Sequence, residues 1–108
     1  MTPRELLREI QDGGVNARIT STGGDCGAIS LVAGGHEILI TPDDGPWATP
    51  YDDSTDVEGD WFITAHPVGG DGGTWIDCDL VTDGDATVPS DGVCWALAGL
   101  LHHVTTTI

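Results

Sequence analysis

The chain has 108 residues, 39% of which are hydrophobic, and 18 acidic side chains against 3 basic ones give it a net charge of −15. This length suits a single domain with one core, and the negative charge argues against direct binding to nucleic acid or to an anionic membrane surface. The sequence lacks a signal-peptide pattern, an apolar run long enough to cross a membrane and regularly spaced cysteines, so we expect a cytoplasmic protein with reduced thiols.

The first residues predict a short amphipathic helix over residues 3–12. Thr2 stands at the N-cap, Pro3 at the first helical position and Glu5 at the third, which is the pattern of a capping box. The pair Gly13-Gly14 supplies a left-handed end to the helix. A narrow apolar stripe is expected to face the core, and it consists of Leu6, Leu7 and Ile10.

After this helix, alternation of apolar and polar residues with a period of two predicts an antiparallel sheet. The pair Gly34-Gly35 is typical of a tight hairpin turn between the second and third strands. Consecutive strands joined in this way form a meander in the simplest topology. The five predicted strands are residues 15–20, 28–33, 36–41, 61–66 and 74–81.

A second helix is predicted near the C-terminus, with Ser90 as its N-cap and His102-His103 in its last turn. Its body, residues 93–101, is apolar on every face, so the sheet must cover one side and either the first helix or another chain must cover the other. An apolar face left open favours a homodimer. The β-prone residues 105–107 are expected to fray. The candidate interface residues in this helix are Trp95, Leu97 and Leu101.

The segment 42–60 interrupts the strand pattern with three prolines and seven acidic residues. We predict an acidic, proline-rich loop within a single domain formed by residues 1–108. A loop of this length in a compact domain is usually either functional or disordered. Its aromatic residues, Trp47 and Tyr51, therefore either belong to a contact surface or cover an edge of the sheet.

No motif predicts a metal site, a cofactor site or a catalytic centre. The three cysteines and four histidines lack the close pairing of zinc ligands, and Asp83-Gly84-Asp85 does not continue into the calcium-binding loop of an EF-hand. The chain contains no lysine, and its paired glycines do not form a phosphate-binding loop. We therefore expect no cofactor, no metal and no catalytic residues, although a triad assembled only in space would leave no local pattern.

The acidic residues are concentrated after residue 42, where thirteen acids are accompanied by no basic residue. Such a surface steers a protein towards basic clefts. In charge it is similar to proteins that imitate the DNA backbone and occupy the nucleic-acid-binding cleft of a partner. The alternative is that the charge only keeps the protein dissolved in its environment. The candidate partner-binding acids are Asp43, Asp44, Asp52, Asp53, Asp56, Glu58, Asp60, Asp77 and Asp79.

Four runs of residues carry a resemblance to known proteins: TPRELL at 2–7, ARI at 17–19, GAISL at 27–31 and EILITPDDGPW at 37–47. In their style they resemble the small accessory proteins of bacteriophages that infect actinobacteria. The resemblance implies an α+β build and a setting in the cytoplasm of an infected host. It implies no functional residue, because most such proteins have no assigned activity.

The patterns predict an α+β fold with an N-terminal helix, an antiparallel sheet of about five strands and a C-terminal apolar helix packed on one sheet face. We predict a small acidic, non-enzymatic interaction protein that binds a host protein through its acidic surface or its apolar helix. The alternative is a structural or oligomeric component that assembles through the C-terminal helix. A metal-dependent enzyme is a third class, for which the sequence shows no ligand pattern.

Overall fold

The computed structural model describes residues 1–23, 26–42, 47–48, 57, 59–67 and 87–106 of the chain. These residues form an α+β fold with one helix before the strands and one after them, which confirms the predicted fold class. In chain order the elements are α1 (Pro3–Asp12), β1 (Arg18–Gly23), β2 (Cys26–Ala33), β3 (His36–Pro42), β4 (Trp47–Ala48), β5 (Trp61–Pro67), a 3₁₀ turn (Ser90–Gly92) and α2 (Val93–Thr106).

Helix α1 has the predicted bounds because its first turn closes its own hydrogen bonds. The Glu5 backbone N–H donates to the Thr2 hydroxyl at 3.1 Å, and the Thr2 backbone N–H donates to a Glu5 carboxylate oxygen at 2.9 Å. This is the predicted capping box. At the other end Gly14 takes a φ of 90°, a left-handed conformation that favours glycine, whereas Gly13 does not.

The sheet is antiparallel, with four strands in the order β1-β2-β3-β5, and the two-residue β4 also pairs with β2. The hairpin between β2 and β3 is confirmed: Gly34 and Gly35 have φ values of 57° and 78°, the turn whose twist matches that of the flanking strands. The four-strand path is slightly shorter than the predicted meander of about five. The predicted strand at 74–81 lies outside the described residues.

Strand β1 begins at Arg18, three residues later than predicted. The main chain before it is bonded locally, since the Ala17 N–H donates to the Val15 carbonyl at 3.0 Å and the Gln11 side chain donates to the Ala17 carbonyl at 3.0 Å. Pairing of β1 with β2 therefore starts at Arg18, opposite Ser30. The alternation at 15–17 still sets burial, because Ala17 is in the core and Val15 packs against it.

Part of the predicted loop at 42–60 is regular structure. Pro42 is the last residue of β3, and β4 pairs Trp47 with Gly27 and Ala48 with Cys26. The predicted loop therefore begins inside the sheet and returns to it. Of the remaining residues in this segment, the structure describes 57, 59 and 60.

The core lies between one face of the sheet and the two helices. Ile29, Ile40 and Ile63 are in register across three strands, and all three are fully buried. The predicted packing of the apolar C-terminal helix on one sheet face is thus confirmed. Besides these isoleucines, the buried cluster comprises Leu6 and Ile10 of α1, Ala17, Leu31, Ile38, Trp61 and Ala65, and Val93, Ala96, Leu97 and Leu100 of α2.

Helix α2 departs from the prediction at both ends. Ser90 is not its N-cap: Ser90 opens the 3₁₀ turn, and its hydroxyl accepts a hydrogen bond of 2.8 Å from the buried Trp61 indole N–H. The helix continues to Thr106, so residues 105 and 106 are helical rather than frayed. Adding residues to a formed helix is easier than nucleating one, and weak β propensity does not stop it. Within the described part of the chain, no helix is long and apolar enough to cross a membrane.

Candidate interaction surface

Helix α2 presents one face to the core and another to solvent. Its buried residues, Val93, Ala96, Leu97 and Leu100, recur at helical spacing. The opposite side, which we call the outer face of α2, consists of Cys94, Trp95, Ala98 and His102, all of them exposed. Trp95 leaves 76% of its surface in solvent, and the helix contains no acidic, lysine or arginine residue. An exposed indole on a helix face without acidic, lysine or arginine residues is typical of a contact surface.

The three predicted interface residues of α2 therefore have different surroundings. Trp95 is on the outer face. Leu101 is half-buried, at the edge where α2 meets the chain that follows α1. Leu97 is 2% exposed and belongs to the core, so in the folded chain it offers almost no surface to a partner.

A groove separates α1 from α2 beside this outer face. Its volume is about 360 Å³, and we call it the helix groove. Most of its lining is apolar or small, which makes it suited to apolar side chains. The lining residues are Glu9, Ile10, Gly13, Val15, Cys94, Leu97, Ala98 and Leu101.

The electrostatics of the helix groove are set by one carboxylate. Glu9 is the only charged residue among the described residues that line it. Loss of hydration by partial burial raises the pKa of the Cys94 thiol above its ordinary value, and the negative charge of Glu9 raises it further. The thiol is therefore protonated and neutral at neutral pH, which is the opposite of the activated state that a nucleophilic cysteine needs. Cys94 contributes apolar surface to the groove.

A second, more polar groove of about 610 Å³ lies where β2 extends beyond β1. Val32 stands on its wall and is 60% exposed, on the sheet face opposite to the buried Leu31. On that outer sheet face the buried Ser30 hydroxyl donates to the Glu37 carboxylate at 3.1 Å. Besides the exposed valine, the lining of this groove includes the polar residues Asn16, Arg18, Ser30 and His102, so it offers less apolar anchorage than the surface around Trp95.

Most of the predicted acidic surface lies outside the described residues. Asp60 is described: it is half-buried and accepts a hydrogen bond of 2.8 Å from the Thr87 hydroxyl, so it ties two chain segments together. For Trp47 only the backbone position in β4 is described, and Tyr51 lies outside the described residues. The other predicted acids, also outside, are Asp43, Asp44, Asp52, Asp53, Asp56, Glu58, Asp77 and Asp79.

Among the residues that the structure describes, no three or more histidine, cysteine, aspartate or glutamate side chains come together in a way that could hold a metal ion. The two α1 residues that line the helix groove, Glu9 and Ile10, were not predicted as site residues, although Ile10 was predicted to face the core. The spacing of Cys94, Ala98 and Leu101 at i, i+4 and i+7 places them on one line of α2, yet only the position of α1 turns that line into a groove wall.

Comparison of the chain with protein families, curated proteins and solved structures finds no significant match.

Proposed function

We propose that the protein is a small non-catalytic interaction protein that binds a protein partner through the outer face of α2, in the host cytoplasm that the phage resemblance implies. The observation that carries this proposal is the 76% exposure of Trp95 in a fold whose described helix leucine and isoleucine residues are buried or half-buried. Tryptophan is enriched at the centres of protein interfaces because its large ring gains most from being removed from water. The exposed indole is accordingly the anchor of the contact.

The charge of the chain supports a basic partner. A net charge of −15 repels acidic surfaces and attracts basic ones, which speeds encounter with a partner that carries a basic cleft. The net charge therefore governs how fast the partner approaches. The apolar contact at Trp95 governs the lifetime of the complex.

Replacing Trp95 with alanine is expected to weaken binding to the partner about 30-fold or more, because the anchor side chain is lost. The matched control is Val32→Ala, which trims the other large apolar residue that is exposed in the described structure, on the outer sheet face. The partner is first isolated from host lysate on the immobilised wild-type protein. Its affinity for each variant is then measured by surface plasmon resonance, with circular dichroism to show that both variants fold.

Equal affinities of the Trp95→Ala and Val32→Ala variants for that partner would overturn the assignment of the outer face of α2. The second candidate, an assembly component, uses the same face between copies of the chain. It is favoured instead if light scattering gives the mass of two chains and Trp95→Ala restores the mass of one.

Charge steering by the acidic segment is a separate expectation. Changing Asp52, Asp53 and Asp56 together to asparagine is expected to slow association about three- to tenfold at low ionic strength, and the difference should shrink as salt rises because mobile ions screen the field. Association and dissociation rates measured across a salt series test it. An asparagine variant that associates at the wild-type rate at low salt would make the acidity a property of the environment and not of recognition.

A further inference from the structure

We propose that the helix groove between α1 and α2 receives an amphipathic helix of the partner that carries a lysine or arginine beside its apolar residues. The proposal rests on the proposed function and deepens it, since it specifies which element of the partner lies next to Trp95.

The shape of the groove favours a helix as its occupant. The α2 wall is formed mainly by Cys94, Ala98 and Leu101, a line that runs about two turns along the helix. A bound helix presents its own side chains at i, i+3 or i+4 and i+7 over the same length. The small side chain of Ala98 on one wall and Gly13 on the other allow close approach, as in the packing of side-chain ridges into grooves.

The charge of the helix groove favours a partner helix that carries a positive charge. Among the described lining residues Glu9 carries the one formal charge, and its negative charge acts on the Cys94 thiol on the opposite wall. A cation on the bound helix pairs with this carboxylate, whereas an acidic helix meets both Glu9 and the net charge of −15. A helix with apolar side chains and a lysine or arginine beside them is therefore complementary to this site.

The test uses two synthetic amphipathic peptides, one of leucine and lysine at helical spacing and the same peptide with glutamate in place of lysine. The readout is the rate of alkylation of Cys94 by iodoacetamide in the full chain, followed by mass spectrometry of the fragment that contains Cys94. Because Cys94 lines the groove, an occupant shields it. We expect the lysine peptide at saturation to slow alkylation about tenfold, and the glutamate peptide to leave the rate unchanged.

Two variants locate the cation. Glu9→Gln is expected to weaken binding of the lysine peptide about two- to fivefold, the range for loss of a partly solvated ion pair. Asp12→Asn removes the same charge from α1 at a residue that does not line the groove, and it should leave the affinity unchanged. Because Glu9→Gln also lowers the pKa of Cys94, protection is expressed for each variant as the ratio of rates without and with peptide.

The proposal is overturned if the lysine peptide binds without shielding Cys94. It is also overturned if Glu9→Gln and Asp12→Asn weaken binding of the lysine peptide equally, because binding is then a response to net charge alone. It is also overturned if Cys94 becomes shielded on raising the protein concentration without peptide, because a second copy then fills the groove. If Trp95→Ala abolishes capture of the partner while the lysine peptide leaves Cys94 unprotected, the proposed function stands and only the helical occupant is wrong.

Discussion

Replacing Trp61 with alanine lowers the free energy of unfolding by about 3–5 kcal/mol, the range for removing a large aromatic residue from a core. Trp61 is fully buried, and its indole N–H donates to the Ser90 hydroxyl at 2.8 Å. Its backbone forms a two-way bridge with Val88, with N···O distances of 2.8 and 2.9 Å. The residue thus joins β5 to the turn that starts α2, and its loss leaves a cavity at this junction.

Urea denaturation measures this change, and Trp95→Ala supplies a matched control. The same substitution at a residue that is 76% exposed is expected to change stability by about 0.5 kcal/mol or less. Trp61→Phe separates the two contributions: it keeps most of the apolar contact but lacks the indole N–H, and we expect a loss of about 1–2 kcal/mol. A Trp61→Ala loss no larger than that of Trp95→Ala would contradict the role of Trp61 in the core.

Replacing Leu6 with alanine lowers the free energy of unfolding by about 3 kcal/mol, whereas Leu7→Ala lowers it by about 1 kcal/mol or less. The two residues are adjacent on α1 and chemically identical. Leu6 is fully buried, while Leu7 is half-buried at the margin of the core. Both variants replace leucine with alanine in the same helix, so the change in helix propensity is the same. The difference between their free energies of unfolding therefore measures how α1 packs on the sheet.

The same denaturation measurement compares Leu6→Ala and Leu7→Ala under identical conditions. Equal losses for the two variants would mean that α1 packs in a different rotation about its axis. The stripe Leu6, Leu7 and Ile10 was read from the sequence as one apolar face, and the structure divides it, with Leu6 and Ile10 inside and Leu7 at the edge.

Structural features that depend on hydrogen bonds between residues close in sequence could be predicted to the residue. Helix α1 begins and ends where Thr2, Glu5 and the glycine pair predict, because the partners of its end groups lie within a few residues. The hairpin at Gly34-Gly35 is of the same kind, since the turn needs two residues that accept positive φ and the sequence supplies them.

Some features were predicted wrongly in detail, because hydrogen bonds that the sequence pattern does not reveal override the local preference. The pattern at Ser90 is that of an N-cap, yet its hydroxyl bonds to Trp61, 29 residues earlier in the chain. The alternation that starts at Val15 predicts strand, but bonds from Ala17 and Gln11 hold that segment outside the ladder. At Ser90 a local preference of about 1 kcal/mol gave way to a tertiary contact, whereas at Val15 it gave way to other hydrogen bonds between residues at most six apart in the chain.

Residue patterns along the chain were sufficient to predict the fold class and the apolar character of α2. The tertiary structure decided which side of α2 faces solvent. A helix that is apolar all round has no preferred inward face, so only the positions of the sheet and α1 place Leu97 in the core, Leu101 at the margin and Trp95 in water. The helix groove has the same origin, because its two walls are about 80 residues apart in the chain and meet only when both helices cover one sheet face.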